Sequence, residues 1–281
     1  MTAGTELDLE TEYNNRARVP EHPAILEAWR RDAAAYRTAR APLARLGLAY
    51  GPHPRQRIDL FPAEAEETAR PVLLFVHGGY WQAFDGSSSS HLAAGANARG
   101  LAVAVMSYRL CPEVRLAEIV DDVRQAGLFL FRTTHRPLVV FGHSAGGHLT
   151  AMALATDWKA LAPGVPRDLV RGGLAISGLF DLEPLVETSI NGALGLDREM
   201  ARRLSPLHRD PGRGARLEAW VGGEESGEYH RQSRAIVEKW RALGASTRFE
   251  TVPGANHFTA VAPLADPASP MTEALVALAG R

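Results

Sequence analysis

Runs rich in apolar and β-branched residues recur along this chain, mostly without polar alternation, and helix-length segments separate them. Six of these runs are "PVLLFVHGG" (71–79), "LAVAVMSY" (101–108), "PLVVFGHS" (137–144), "VRGGLAISG" (170–178), "ARLEAWVGG" (215–223) and "TRFETVPG" (247–254). A strand with one wet face alternates apolar and polar residues, whereas a strand covered on both faces does not. Between the runs lie "SHLAAGANARG" (90–100), the strongly amphipathic "LAEIVDDVRQAGLFLFRTT" (116–134), "AGGHLTAMALAT" (145–156) and "YHRQSRAIVEKWRALG" (229–244). "SPMTEALVALAGR" closes the chain as a further helix. The alternation predicts an α/β fold, a mostly parallel central sheet with helices on both faces.

The flanking segments are simpler. Residues 1–20 read as a polar arm, and 21–45 as a helix with Ile25, Leu26, Trp29, Ala33 and Tyr36 at helical spacing. "LGLAYGPHPRQRIDLFP" reads as two short strands around a Gly-Pro turn, and "AEAEETAR" as an exposed connection. "SSSS" at 87–90 reads as a polar loop running into a helix start. Residues 180–212 break the rhythm with Gly and Pro, which predicts short helices or loops forming a small cap over the site. No internal repeat is present, and residues 1–281 are expected to form a single domain.

Composition narrows the function classes. The chain has 281 residues, a formal net charge of −1, 46% hydrophobic and 22% charged residues. That balance supplies a sizeable core and argues against nucleic acid or an anionic membrane as a partner. Cys111 is the single cysteine, so no intramolecular disulfide forms and a reducing compartment fits. No signal-like h-region and no apolar run of about 18 residues is present, which makes a cytoplasmic location the expectation. Self-association into a homodimer is left open.

"FGHSAGG" contains Gly142-His143-Ser144-Ala145-Gly146, a G-x-S-x-G pattern with a strand before it and a helix after it. In that context a sharp turn exposes the serine hydroxyl at a helix N-terminus. Ser144 is therefore the candidate nucleophile. A hydroxyl needs a base, and the base an orienting acid, in the chain order Ser, Asp or Glu, His. His257 follows the last strand in "ETVPGANHFTAV". His148 lies one turn into a helix, His143 is the variable position of the turn, and His230 opens a helix. The acid should follow the preceding strand, where "EAWVGGEESGEYHRQS" offers Glu224, Glu225 and Glu228. Spacing alone does not separate Glu224 from Glu225.

"HGGYW" (77–81) follows a buried strand at once. Attack by Ser144 would create an oxyanion, which needs hydrogen-bond donors. One donor is the amide after the nucleophile, Ala145, and the other comes from the loop after the third strand. Gly79 and Tyr80 are the leading amide donors there, with Gly78 making the turn and His77 bracing the loop. Tyr80, Trp81 and Phe84 are candidates for an aromatic wall beside the leaving group. No H-E-x-x-H or cysteine ligand cluster is present, so no metal or cofactor is expected, and a small molecule is the expected partner.

Together "HGGYW", "GHSAGG", "EESGEYHRQS" and "GANHF" resemble the α/β-hydrolase type of arylformamidase (kynurenine formamidase), which is related to hormone-sensitive-lipase-like esterases. "EYNNRARVPEHPAILEAW" is similar to the arm and first helix of that family, so the resemblance covers nearly the whole chain. It implies an α/β-hydrolase fold and cofactor-free hydrolysis of an N-formyl arylamine, N-formylkynurenine, through a formyl-serine. It also implies Glu225 as the acid, by register with a Ser-Pro-Glu-aromatic-His-Arg-Gln-Ser run. The chain departs from that run with Gly227 for proline, and from the usual aspartate with glutamate.

Overall fold

The computed structural model describes residues 8–65 and 69–280; residues 1–7 of the expected arm, 66–68 of the expected connection and the final residue lie outside it. Its strands are β1 Arg45–Ala49, β2 Arg57–Phe61, β3 Val72–Val76, β4 Val103–Ser107, β5 Leu138–His143, β6 Val170–Ile176, β7 Arg216–Gly222 and β8 Ser246–Val252. They form one sheet in the order β1-β2-β4-β3-β5-β6-β7-β8. β1 and β2 pair antiparallel, as do β2 and β4, and every other pairing is parallel. The six apolar runs of the sequence are the six parallel strands.

The helices are α1 Leu9–Tyr13, α2 Asn15–Arg18, α3 His22–Arg40, α4 Ala94–Ala98, α5 Leu116–Thr134, α6 Ala145–Leu154, α7 Trp158–Leu161, α8 Asn191–Leu194, α9 Arg198–Leu204, α10 Gly227–Ala242 and α11 Pro270–Ala279. The pleat of β3 shows why its run is unbroken. Val72, Leu74 and Val76 join one core with Ile119 and Val123 of α5, Leu149 of α6 and Ile236 of α10. Leu73 and Phe75 join a second core with Ala96 of α4 and Leu275 of α11. Both faces of the strand are dry, so polar alternation would bury unpaired groups.

Three sequence expectations are corrected. The helix expected over 21–45 ends at Arg40, and Arg45 already begins β1. Pro42 is the cause, because its ring and missing N–H stop a helix. "SSSS" is no loop: residues Gly86–Ala93 form a 3₁₀ helix, and α4 is correspondingly shorter than the helix expected over 90–100. Ser88 and Ser90 donate their hydroxyls back to the carbonyls of Asp85 and Ser87, a local pairing that competes with α-helix. The described part of the arm is folded into α1 and α2, with Tyr13 fully buried. Residues 180–212 hold α8, α9 and two 3₁₀ turns, Glu183–Glu187 and Pro206–His208. Among the described residues no helix is long and apolar enough to cross a membrane.

Candidate active site

Ser144 is the hinge between β5 and α6. Its φ of 56° and ψ of −118° are a strained conformation for a residue with a Cβ, and its amide is tied to the Ile176 carbonyl at 2.8 Å. The turn needs Gly146, since a Cβ there would lie 1.9 Å from the Val76 carbonyl oxygen. Close contact of α6 with β3 thus fixes where the Ser144 hydroxyl sits.

The loop after β8 brings His257 to that hydroxyl. Asn256 Oδ1 accepts from the amides of Phe258 and Thr259, both at 3.0 Å, and shapes the loop. Ser144 Oγ lies 3.1 Å from His257 Nε2, and His257 Nδ1 lies 2.6 Å from Glu225 Oε2. The other carboxylate oxygen, Oε1, accepts from the Ser177 hydroxyl at 2.5 Å and the Gly222 amide at 2.7 Å. Burial opposes ionisation of Glu225, yet the His257 pair and these donors hold its carboxyl below the usual glutamate range. Glu224 is exposed. Glu228 is taken up by Arg231 at 2.6 Å and by Tyr13, whose hydroxyl donates to it at 2.5 Å. Of the three candidate acids, Glu225 is therefore the one that meets His257.

His143 supports the arrangement from behind. Its Nε2 donates to the His257 carbonyl at 2.8 Å, and the two rings lie 4.8 Å apart. Burial, and then the nearness of His257, push its pKa down to about 3. His77 and His148 are also buried, and desolvation lowers each to about 4. His77 stacks on Tyr108 at 4.1 Å and donates from Nδ1 to the Gly78 carbonyl at 2.7 Å.

These three histidines make stability acid-sensitive. Unfolded, each binds a proton near pH 6.5; folded, near 3 to 4. The unfolded chain therefore holds more protons throughout that window, and stability falls as pH drops below about 6.5. With three groups the slope approaches about 4 kcal/mol per pH unit. Urea titrations at pH 7.5, 6.0 and 5.0 should show a steeply falling free energy of unfolding, and a flat profile would contradict the buried neutral imidazoles.

The HGGYW loop passes directly beside Ser144. A Cβ on Gly78 would come within 3.1 Å of the Ser144 Cβ. Gly79 has φ 106°, and a Cβ there would strike the Ala83 carbonyl oxygen at 2.4 Å. Tyr80 and Trp81 follow at φ 48° and 57°. The amides of Gly79 and Tyr80 have no backbone acceptor among the described residues. The Ala145 amide lies in the first turn of α6, where no intrahelical acceptor exists. Ser144, Gly78, Gly79 and Tyr80 all border one cavity of about 440 Å³.

Its aromatic wall differs from expectation. Tyr80 and Phe84 line the cavity, but Trp81 does not. Tyr80 and Trp81 both have left-handed backbone, but the Trp81 ring is fully buried in the core, edge-on to His148 at 5.0 Å. Trp29 of α3 and Phe258 stand at the cavity instead. Trp29 had the spacing of a core residue, and it is the member of that stripe that borders the cavity. Ser177 was also missed, since nothing near a Gly-Ser strand end signals a contact with a carboxylate 48 residues later. The arm supplies a further wall. Tyr80 donates from its hydroxyl to the Tyr13 carbonyl at 2.6 Å, and Asn15 Nδ2 donates to the Tyr229 hydroxyl at 2.7 Å. Away from the cavity, Asp181, Glu183 and His208 bring ligand-type atoms within 4.8 Å of one another, and Glu183 there pairs with Arg202 and His208.

Residues 58–163 match the BD-FAE family model. Kynurenine formamidase of Danio rerio is 27% identical over 239 residues, spanning 83% of this chain and 80% of its own length. Kynurenine formamidase of Drosophila melanogaster is 30% identical over 216 residues, 73% of this chain and 71% of its own. A Silicibacter sp. protein whose crystal structure carries a provisional thioesterase description is 37% identical, covers 98% of this chain and 100% of its own, and superposes with a TM-score of 0.84. A hormone-sensitive lipase from a metagenome library, 21% identical with a TM-score of 0.67 over 98% of this chain and 95% of its own, shares the fold. By the length and closeness of these matches, and by its sheet, the chain is a hydrolase of the α/β-hydrolase fold and belongs to the kynurenine formamidase family.

Proposed function

We propose that this hydrolase cleaves N-formyl arylamines, N-formyl-L-kynurenine foremost, through a formyl-serine intermediate. The observation that carries the reading is the unbroken relay from Glu225 through His257 to Ser144 at the floor of the cavity. Ser144 Oγ attacks the formyl carbon while His257 Nε2 takes its proton, and Glu225 stabilises the resulting imidazolium. The oxyanion takes hydrogen bonds from the amides of Ala145 and of Gly79 or Tyr80, with Gly78 holding the turn open. One such donor is typically worth about 3–4 kcal/mol in the transition state. The C–N bond then breaks as His257 returns the proton to the aryl nitrogen. Delocalisation of that nitrogen lone pair into the ring weakens the amide. Water, deprotonated by His257, attacks the formyl ester and releases formate and free Ser144.

A short-acyl aryl carboxylesterase is the second reading, favoured by the same Glu225–His257–Ser144 relay, which would cleave an aryl ester equally. Turnover of N-formylkynurenine against p-nitrophenyl acetate, compared as kcat/KM, separates the two. An intact relay also argues against a non-catalytic binding protein, and a fluorophosphonate probe should label Ser144. Failure to hydrolyse any formanilide, with acetate esters turned over freely, would reject the formamidase.

Acyl length gives a sharper expectation. Tyr80 is anchored through its hydroxyl to Tyr13 and to Tyr229 at 2.7 Å, so it cannot swing aside for a longer acyl chain. Formyl and acetyl derivatives should react well, and each methylene beyond acetyl should lower kcat/KM about tenfold, the effect of about 1–3 kcal/mol. A p-nitrophenyl ester series with its maximum at butyrate or hexanoate would contradict the closed acyl side and favour the esterase.

A further inference from the structure

The cavity beside Ser144 has one permanent cation among its described lining residues, Arg16, and one carboxylate, Glu10. The neighbouring His77 and His143 are kept neutral by burial. Both charges sit on the arm, and the arm is fixed in place. The Tyr13 hydroxyl donates to Glu228 and accepts from Gln232 Nε2 at 2.6 Å, and Asn15 is locked to Tyr229.

The two charges are not used alike within the protein. Glu10 accepts from the amide and hydroxyl of Ser189, itself a lining residue, at 2.8 and 2.6 Å, which fixes it at the cavity. Arg18, on the same short helix as Arg16, faces Glu12 at 3.9 Å. Glu12 in turn accepts from the Glu228 amide at 2.9 Å. Arg16 alone of this group has no hydrogen-bond or ion-pair partner among the described residues, and it is exposed at the cavity rim. An arginine fork next to a reactive cavity, held on a docked segment and left unpaired, suits a planar carboxylate.

We propose that Arg16 and Glu10 form a subsite for the far end of the leaving group, recognising an α-amino-acid tail on the arylamine: its carboxylate on Arg16, its ammonium facing Glu10. The inference rests on the formamidase reading and adds to it the residues that select the tail. A neutral formanilide would fill the aromatic part of the cavity and leave both charges unanswered.

The test compares kcat/KM for N-formylkynurenine with that for ortho-formamidoacetophenone, which keeps the formanilide and lacks the tail. Arg16→Gln should lower the ratio, tailed over tailless, about tenfold, mainly through KM of the tailed substrate. Arg16→Lys, which keeps the charge and loses the fork, should give a ratio between those of wild type and Arg16→Gln. Glu10→Gln should lower it about threefold, and raising salt to about 0.5 M should shrink the wild-type ratio by screening an exposed pair. A ratio within twofold of wild type in Arg16→Gln, or a lysine variant as impaired as the glutamine one, overturns the subsite while the formamidase stands. If wild type hydrolyses neither formanilide, the formamidase reading itself fails. The same ratio is then read on para-ethylphenyl acetate and the ester bearing a terminal carboxylate on that ethyl group, with the same tenfold loss expected and the same null result fatal.

Discussion

Replacing Ser144 with alanine should lower kcat/KM for an aryl formamide at least about a thousandfold and abolish fluorophosphonate labelling, since single losses from such a relay cost that much or more. The fold should tolerate the change. The strained φ of 56° is already imposed on a residue with a Cβ, and alanine adds no atom to the turn. The tie that holds the turn runs through the Ser144 amide to Ile176, which alanine keeps. The hydroxyl's contact is with His257 Nε2, so its loss removes the nucleophile and leaves the His257–Glu225 pair in place. The thermal midpoint should therefore stay within about 3 °C of wild type, an effect below about 1 kcal/mol. Retention of more than about a thousandth of wild-type turnover would sink Ser144 as the nucleophile.

Glu225→Gln should cost about a thousandfold to ten-thousandfold in kcat, whereas Glu224→Gln should stay within about threefold. At Oε1, the Ser177 hydroxyl and the obligate donor Gly222 N–H demand an acceptor, so the glutamine oxygen must sit there. Its NH₂ then takes the Oε2 position and donates to His257 Nδ1. The imidazole is forced to carry its proton on Nε2, facing Ser144, where it cannot serve as a base. The imidazolium formed in the reaction also loses its counter-charge. Glu224 is exposed and points to no such partner. If Glu224→Gln were the crippling change instead, the acid would have been assigned one residue out of register. Circular dichroism and denaturation of both variants separate a lost base from a lost fold.

How far the sequence revealed these features depends on the range of the interaction involved. The β3 and β5 runs and the α5 stripe are local patterns, and they marked the sheet and its covering helices. Ser144 was legible because glycines, strand and helix coincide within a few residues. His257 was legible by chain order. Glu225 was not separable from Glu224 by spacing, because the choice depends on Ser177 and Gly222 converging on one carboxylate oxygen. That convergence is tertiary, and only family resemblance pointed to it in advance. Trp81 illustrates a different limit. Two adjacent aromatics with nearly the same left-handed φ look interchangeable in sequence, yet one borders the cavity and the other is buried in the core. Such angles on bulky residues are imposed by surroundings, against local preference. The helix end near Pro42 is a local signal, since the apolar spacing stops at Tyr36 and the proline stands two residues beyond Arg40. The arm shows no periodicity at all, and its described part is held by tertiary partners, Tyr229, Glu228 and Gln232 of α10 with Tyr80 and Ser189.

That last pairing bears on how the protein is made. Tyr13 meets Glu228 across 215 positions of the chain. At synthesis rates of about 5–20 residues per second, its side of the cavity is built roughly 10–40 seconds before the helix that clasps it. Ser144 is synthesised late in that interval, ahead of Glu225 and of His257, which follows Glu225 by 32 residues. The serine is therefore made before its acid, its base and the helix that clasps the arm. The clasp on the arm comes before activation, because His257 follows α10 and β8 in the chain and the relay is complete only with it.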